Sequence, residues 1–160
     1  MRLVIAAVGR LKEGPERALF QRYWDRLAAS GRSIGVGPIG LFEVAEGRAT
    51  GRAARVSDEA ERLLAKVSSA DIKVALDEHG RAQTTEAFAA YLRATRDAGT
   101  GSMAFLIGGP DGHGPAVLAA TSLRMSLGPM TLPHGLARIV LVEQLYRAAT
   151  ILAGHPYHRA

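Results

Sequence analysis

Short apolar runs alternate with longer amphipathic segments along the chain, and this alternation predicts an α/β fold. The first run, Arg2–Val8, is apolar and contains three β-branched residues, which is typical of a buried strand. Further strands are predicted at Val36–Val44, Ile72–Asp77, Ser102–Ile107 and Leu123–Leu127. We therefore expect a mostly parallel sheet flanked by helices.

The helices between these strands are predicted from apolar residues that recur every three or four positions. The first begins at Pro15 and ends at Gly31. The second takes Ser57 as its N-cap, after a mobile loop or loosely formed helix start at Glu46–Arg55. Two more are predicted, one after a capping residue at Thr84 or Thr85 and one at about Ala116–Thr121.

The last predicted helix, Leu136–Ala153, is apolar on more than one side. Such a helix needs more cover than one sheet provides, and a partner subunit is the simplest source of it. Against this background Glu143, Arg147 and Thr150 form one polar stripe at i, i+4 and i+7. The stripe is either a helical ion pair of a few tenths of a kcal/mol or a functional group of residues.

The composition fits one compact domain over residues 1–160, with 48% hydrophobic and 22% charged positions. The absence of cysteine excludes disulfides, thiolate metal sites and a cysteine nucleophile. No apolar run approaches the ~20 residues of a membrane span, and Arg2–Val8 is too short for a signal peptide. We expect a cytoplasmic enzyme or binding module.

The net charge of +5 is small, but only three of the twenty cationic residues are lysines. The other seventeen are arginines, which suit bidentate contact with phosphate. A general preference for arginine across the proteome would give the same count. Nucleic acid as a partner therefore has to be argued from the site.

Two glycine- and proline-rich loops follow predicted strands, at Gly108–Pro115 and Leu127–His134. Ligands of parallel α/β sheets bind beyond the carboxyl ends of the strands, so the loops could form two walls of one pocket. The first loop would let backbone amides approach a cofactor, although it is neither a GxGxxG fingerprint nor a phosphate loop. The second offers the Thr131 hydroxyl and several apolar side chains that could clasp an adenine-like ring. Taken singly, each loop could equally be a plain turn.

The tail His155–Arg159 holds two imidazoles, a phenol and a guanidinium. No carboxylate or thiolate stands near in sequence, which disfavours a metal site. A group for acid/base chemistry and phosphate contact fits better. Four of the five histidines lie in the last third of the chain, at His113, His134, His155 and His158, and this concentration points to one site.

Three segments together resemble a known family: FLIGGPDG (Phe105–Gly112), MSLGPMTLPHGLARIVLVEQLYRA (Met125–Ala148) and HPYHR (His155–Arg159). The family is the ribosomal RNA large subunit methyltransferase H family of the SPOUT class. Its members transfer a methyl group from S-adenosylmethionine to N3 of a pseudouridine in 23S rRNA. The resemblance extends over nearly the whole chain.

The resemblance implies a C-terminal trefoil knot and a homodimer, and the chemistry of such a methyl transfer needs no metal. The cofactor-binding positions it implies are Leu76, Gly108, Leu127, Gly128, Pro129, Met130, Thr131 and Leu132. Gly128-Pro129 and His113 depart from commoner members of the family. Backbone contacts with the cofactor should survive the first of these departures.

The methyl group of a sulfonium is already activated, so the enzyme has to align the reactants and help remove the N3 proton. We expect His158 to act as base, Arg159 to stabilise the imide anion or a phosphate, and Tyr157 to stack on or orient the base. Glu143 and Arg147 would be positioning residues. The expected substrate is 23S rRNA within the assembled subunit or ribosome.

Three alternatives stay open. A SPOUT methyltransferase could act on another RNA such as tRNA, and a non-catalytic ribosome-binding module could retain the pocket for dimer structure alone. A nicotinamide-dependent Rossmann enzyme is the third, and it lacks support because no GxGxxG follows the first strand.

Overall fold

The structure is a computed structural model that describes residues 1–158, with the side chain of His158 outside the described part. Its centre is a five-stranded sheet in the order β2-β1-β4-β3-β5, and every neighbouring pair is parallel. The strands are β1 (Arg2–Val8), β2 (Ile39–Val44), β3 (Ile72–Ala82), β4 (Ser102–Ile107) and β5 (Leu123–Ser126). The predicted fold class, a mostly parallel sheet between helices, is confirmed. The knot stays a prediction.

Helices cover both faces of this sheet. They are α1 (Pro15–Ser33), α2 (Arg52–Lys66), α3 (Thr85–Asp97), α4 (Pro115–Ala120) and α5 (His134–Leu152), and a 3-10 turn follows at Pro156–His158. Strand β4 is buried throughout and sends alternate side chains to the two faces. Phe105 belongs to a core cluster with residues of α1, α3 and α5, whereas Leu106 belongs to a second cluster with residues of α2 and α4. Within residues 1–158 no helix is both long and apolar enough to cross a membrane.

Two helix boundaries differ from those predicted. Helix α1 continues past Gly31 to Ser33, so Gly31 does not end the helix. Glycine is needed there because the Val36 backbone packs against it: a Cβ at position 31 would lie 2.5 Å from the Val36 carbonyl oxygen. Helix α2 begins at Arg52, so Ser57 is an interior residue and its predicted capping role is wrong. The segment expected to be a loose helix start is ordered by tertiary hydrogen bonds that sequence periodicity does not encode.

Two strands also differ in length. The second predicted strand begins only at Ile39, after Gly35 and Gly37 have taken positive φ values. Strand β3 runs beyond Asp77 to Ala82, with an irregularity in its pairing with β5. The longer β3 brings additional polar residues to the carboxyl edge of the sheet.

Most of the apolar surface of α5 is covered by the same chain, although Leu136 in its first turn is exposed. The helix packs between α1 and α3 on the sheet, and Leu141, Leu145 and Ala148 are fully buried or nearly so. The strong apolarity of this helix therefore has an explanation within one protomer. The apolarity of α5 is therefore not evidence for a partner subunit, and only the resemblance supports the predicted homodimer.

Candidate functional site

A cavity of about 830 Å³ lies at the carboxyl ends of β4 and β5, beside residues 76–79 of β3. Its walls come from three segments, 76–79, 107–113 and 127–134. Arg52, Leu118 and Ala137 complete the lining. Parallel strands end at the same edge of a sheet, and this is where α/β proteins bind their ligands. The volume lies within the range of about 300–1,000 Å³ that is usual for small-molecule sites.

The structure brings together seven of the eight residues expected to bind the cofactor. The seven that line the cavity are Leu76, Gly108, Leu127, Gly128, Met130, Thr131 and Leu132. The eighth, Pro129, lies in the same loop but is exposed and does not line the cavity. The two glycine- and proline-rich loops thus face one another across a single space.

The glycine loop, residues 108–114, forms the first wall and folds back on itself. The Gly112 amide donates to the Gly109 carbonyl at 3.0 Å, and Gly112 has a φ of +79°. A Cβ on Gly108 would lie 3.0 Å from the Gly112 carbonyl group. The loop therefore needs glycine at these positions, and it presents backbone to the cavity.

The second wall, residues 127–134, is held by hydrogen bonds at its start and in its middle. The Ser126 hydroxyl donates to the Gly128 carbonyl at 2.8 Å and accepts from the Gly128 amide at 3.1 Å. The Thr131 hydroxyl donates to Glu78 on β3 at 2.9 Å. Leu127 and Leu132 are half-buried and offer apolar surface.

Carboxylates supply the third wall, and the sequence reasoning missed them. Asp77 and Glu78 line the cavity beside His79, whose Nδ1 lies 3.4 Å from the Asp77 carboxylate. Their signal was available, since they end or directly follow a predicted strand. Apolar walls, free backbone groups and two carboxylates suit a nucleoside that carries a positive charge. S-adenosylmethionine has these properties, so the residues present fit that cofactor.

Two of the four clustered histidines line the cavity, His113 and His134. The His113 Nε2 lies 3.2 Å from the Leu106 carbonyl oxygen, and burial lowers the pKa of this imidazole below its ordinary value. His113 is thus a neutral donor to the backbone at the end of β4. His155 is exposed and lies outside the cavity lining.

In the part of the tail that the structure describes, Tyr157 packs on α5 and no residue lines the cavity. The Tyr157 hydroxyl donates to the Glu143 carboxylate at 3.3 Å. Its ring lies 4.6 Å from that of Tyr146 and 4.9 Å from the Arg147 guanidinium carbon. In the predicted polar stripe, Glu143 and Arg147 therefore form an ion pair and also contact Tyr157. The His158 side chain and Arg159 lie outside the described residues.

The start of α5 is fixed by a buried arginine that the sequence reasoning did not single out. Arg138 is fully buried, donates to the Val8 and Gly9 carbonyls at 3.3 and 3.1 Å, and pairs with Glu43. Burial lowers the pKa of Arg138, and the nearby Glu43 carboxylate opposes that shift. This contact joins α5 to the carboxyl end of β1, next to the cavity.

No group of three or more His, Asp or Glu side chains is arranged to hold a metal ion in the part of the chain that the structure describes.

Comparisons with known proteins point to one family. A family model described as "Predicted SPOUT methyltransferase" matches residues 1–158. Proteins named "Ribosomal RNA large subunit methyltransferase H" from Xanthobacter autotrophicus and Bradyrhizobium diazoefficiens are 48% and 46% identical to this chain over 160 residues, the whole of both chains. The protein of that name from Brucella ovis is 44% identical over 169 residues, again over the whole of both chains.

Solved structures agree in fold. A probable methyltransferase from Bordetella pertussis aligns with a TM-score of 0.53 and 17% identity, covering 92% of this chain and 96% of its own. A probable methylase family protein from Haemophilus influenzae gives a TM-score of 0.53 at 10% identity, covering 99% of this chain and 70% of its own.

Proposed function

The chain belongs to the ribosomal RNA large subunit methyltransferase H family of SPOUT methyltransferases, and we propose that its reaction is methyl transfer to N3 of a pseudouridine in 23S rRNA. The observation that carries the proposal is the cavity. Seven of the residues at the family's cofactor positions, drawn from three separate segments, line it together. We propose that this cavity binds S-adenosylmethionine, the methyl donor of the class.

S-adenosylmethionine supplies an activated methyl group, so the protein's task is alignment and removal of one proton. In our proposal the apolar side chains of Leu127 and Leu132 hold the adenine ring. The Asp77 carboxylate faces the positive charge of the cofactor, and the backbone of the glycine loop bonds its polar groups.

The tail residues would serve the acceptor base. Burial and a hydrogen bond with Tyr23 raise the pKa of the Tyr157 phenol above its ordinary value. Tyr157 therefore stays protonated at neutral pH and suits orientation of the acceptor better than proton removal. His158 is the proposed base, and Arg159 the proposed stabiliser of the imide anion or a phosphate.

We also propose that the chain acts as a homodimer on the assembled large subunit or ribosome. The resemblance supports the dimer, and light scattering of the purified protein would test it. The small size of the chain supports action on the assembled large subunit or ribosome, because it leaves little surface for the recognition of free RNA. A ribosomal substrate entails a cytoplasmic location.

The test uses large subunits from a strain that lacks this protein. Purified protein and isotopically labelled S-adenosylmethionine are added, and the 23S rRNA is digested and analysed by mass spectrometry for N3-methylpseudouridine. A parallel reaction contains total tRNA from the same strain, and label in tRNA alone would favour the alternative RNA substrate. Absence of cofactor binding in calorimetry would favour a ribosome-binding module.

Deletion of Tyr157–Ala160 tests the proposed roles of the tail. Transfer should be lost at saturating cofactor, while the dissociation constant for S-adenosylmethionine stays within about twofold of wild type, since Ala137 is the last of the described residues that lines the cavity. Unchanged transfer by the truncated protein would refute these roles.

A further inference from the structure

We infer that Arg55 is a positioning residue for the cofactor cavity. It holds the glycine loop in its binding conformation through Asp111, and so raises the affinity for the ligand without touching it. The inference rests on the proposed function only for the identity of that ligand.

The contact between α2 and the glycine loop is direct. The Arg55 Nε donates to the Asp111 Oδ2 at 2.7 Å, and both side chains are about one quarter exposed, at 29% and 24%. Asp111 lines the cavity, whereas Arg55 does not. Arg52 adds a hydrogen bond from its Nη2 to the Asp111 backbone carbonyl at 3.0 Å. Asp111 is thus held through both its side chain and its backbone.

The same guanidinium also holds the segment that leads into α2. The Arg55 Nη1 donates to the carbonyls of Ala49 and Thr50 at 3.1 and 3.0 Å. Arg55 therefore joins the segment that follows β2 to the glycine loop that follows β4. Loss of Arg55 would release both of them at once.

A second residue on the same face of α2 supports this arrangement. Glu59 lies one turn after Arg55, is only 4% exposed, and accepts from the Gly47 amide at 2.7 Å through its Oε1. Its Oε2 is buried without a hydrogen-bond partner and faces the glycine loop, since a Cβ on Gly109 would lie 2.9 Å from it. The face of α2 that carries Arg55 and Glu59 is therefore fitted to this loop.

The loop needs an anchor of this kind. Glycine loses more conformational freedom than any other residue when it is ordered, and three of the first five residues of the loop are glycines. The hydrogen bond between Gly112 and Gly109 closes only the tip. Asp111 is the one charged side chain between Gly108 and Gly114, so it is the natural point of attachment.

The test compares Arg55→Met and Asp111→Asn with an Arg62→Met control. Arg62 lies on the same helix and forms an ion pair of the same kind with Asp58, but it does not bond the glycine loop. The first measurement is hydrogen–deuterium exchange of the segment 107–114 in protein without cofactor. The second is the dissociation constant for S-adenosylmethionine by calorimetry, with the midpoint of thermal unfolding as a check on stability.

We expect faster exchange across 107–114 in Arg55→Met and Asp111→Asn, and a dissociation constant raised roughly tenfold, while Arg62→Met behaves as wild type. Because the two residues act through one contact, the double variant should be no weaker than the worse single variant. Arg55→Lys keeps the charge but loses the planar fork, and should recover part of the affinity.

Wild-type exchange in Arg55→Met would overturn the inference, as would equal losses in Arg55→Met and Arg62→Met. Failure of the wild-type protein to bind S-adenosylmethionine would instead count against the proposed function. The exchange measurement would still decide whether Arg55 orders the loop.

Discussion

The Tyr157 hydroxyl and the Glu143 carboxylate are joined by a 3.3 Å hydrogen bond between the C-terminal tail and the middle of α5. The same carboxylate oxygen accepts from the Arg147 Nη2 at 2.7 Å, and the Arg147 guanidinium lies against the Tyr157 ring. Glu143 therefore fixes Tyr157 in two ways, directly and through Arg147. The tail leaves α5 from a defined position.

This relationship predicts that Glu143→Gln affects turnover more than cofactor binding. A hydrogen bond to a charged group contributes about 1.5–3 kcal/mol, so loosening the tail should lower kcat roughly tenfold or more. The dissociation constant for S-adenosylmethionine should not change, because Glu143 does not line the cavity. Steady-state kinetics and calorimetry separate the two quantities. Glu61→Gln, at an exposed position of α2, is the matched control. A parallel loss of affinity would contradict the proposed division between tail and cavity.

The sequence predicts the parts of this molecule whose structure is decided locally. Strand β4 has the predicted bounds because all six residues are apolar or small and buried on both faces. Two of the three cavity walls were predictable because glycine-rich loops follow strands. The start of α2 was not predictable, because its N-cap residue Gly51 offers no side-chain hydrogen bond. Arg55 orders the first turn of the helix through residues that are distant in sequence. For the same reason, the packing of Tyr157 on α5 could not be predicted from the sequence.

The close packing of the glycine loop predicts that Gly108→Ala weakens cofactor binding. The added Cβ would lie 3.0 Å from the Gly112 carbonyl group, so backbone has to move. Such overpacking costs about 1–3 kcal/mol, which would raise the dissociation constant for S-adenosylmethionine roughly tenfold. Gly40→Ala is the control, because nothing lies within 4 Å of a Cβ at that position in β2. Wild-type affinity in Gly108→Ala would show that the loop adapts and that its backbone does not shape the site.

The environment of His113 predicts a dependence of stability on pH. Burial lowers the pKa of His113 in the folded protein, so below its ordinary value of about 6.5 the unfolded chain binds a proton that the folded chain does not. The contribution of neutral His113 to stability is complete above its ordinary pKa. It is lost as the pH falls toward the lower pKa that His113 has in the folded protein. The free energy of unfolding should therefore decrease by up to about 1.4 kcal/mol per pH unit on this account.

Urea denaturation of wild type and His113→Gln at pH 5.0, 6.0 and 7.5 would measure this contribution. The variant should show a shallower dependence on pH. The control variant His79→Gln should keep the pH dependence of wild type, because it retains His113. Identical slopes for wild type and His113→Gln would mean that His113 does not contribute.

The buried pair of Arg138 and Glu43 predicts a large loss of stability when one partner is removed. Arg138→Met would remove the guanidinium that donates to the Val8 and Gly9 carbonyls, and would leave the Glu43 carboxylate with the Leu11 amide but no charged partner. Breaking a buried ion pair in this way costs about 3–5 kcal/mol, whereas replacing both partners with apolar residues is often nearly neutral. The double variant Arg138→Met/Glu43→Leu should therefore lose less stability than the sum of the single variants. Urea denaturation measures all three, with Arg32→Met at an exposed position of α1 as the control. A loss in Arg138→Met no greater than in that control would show that other contacts join α5 to the end of β1.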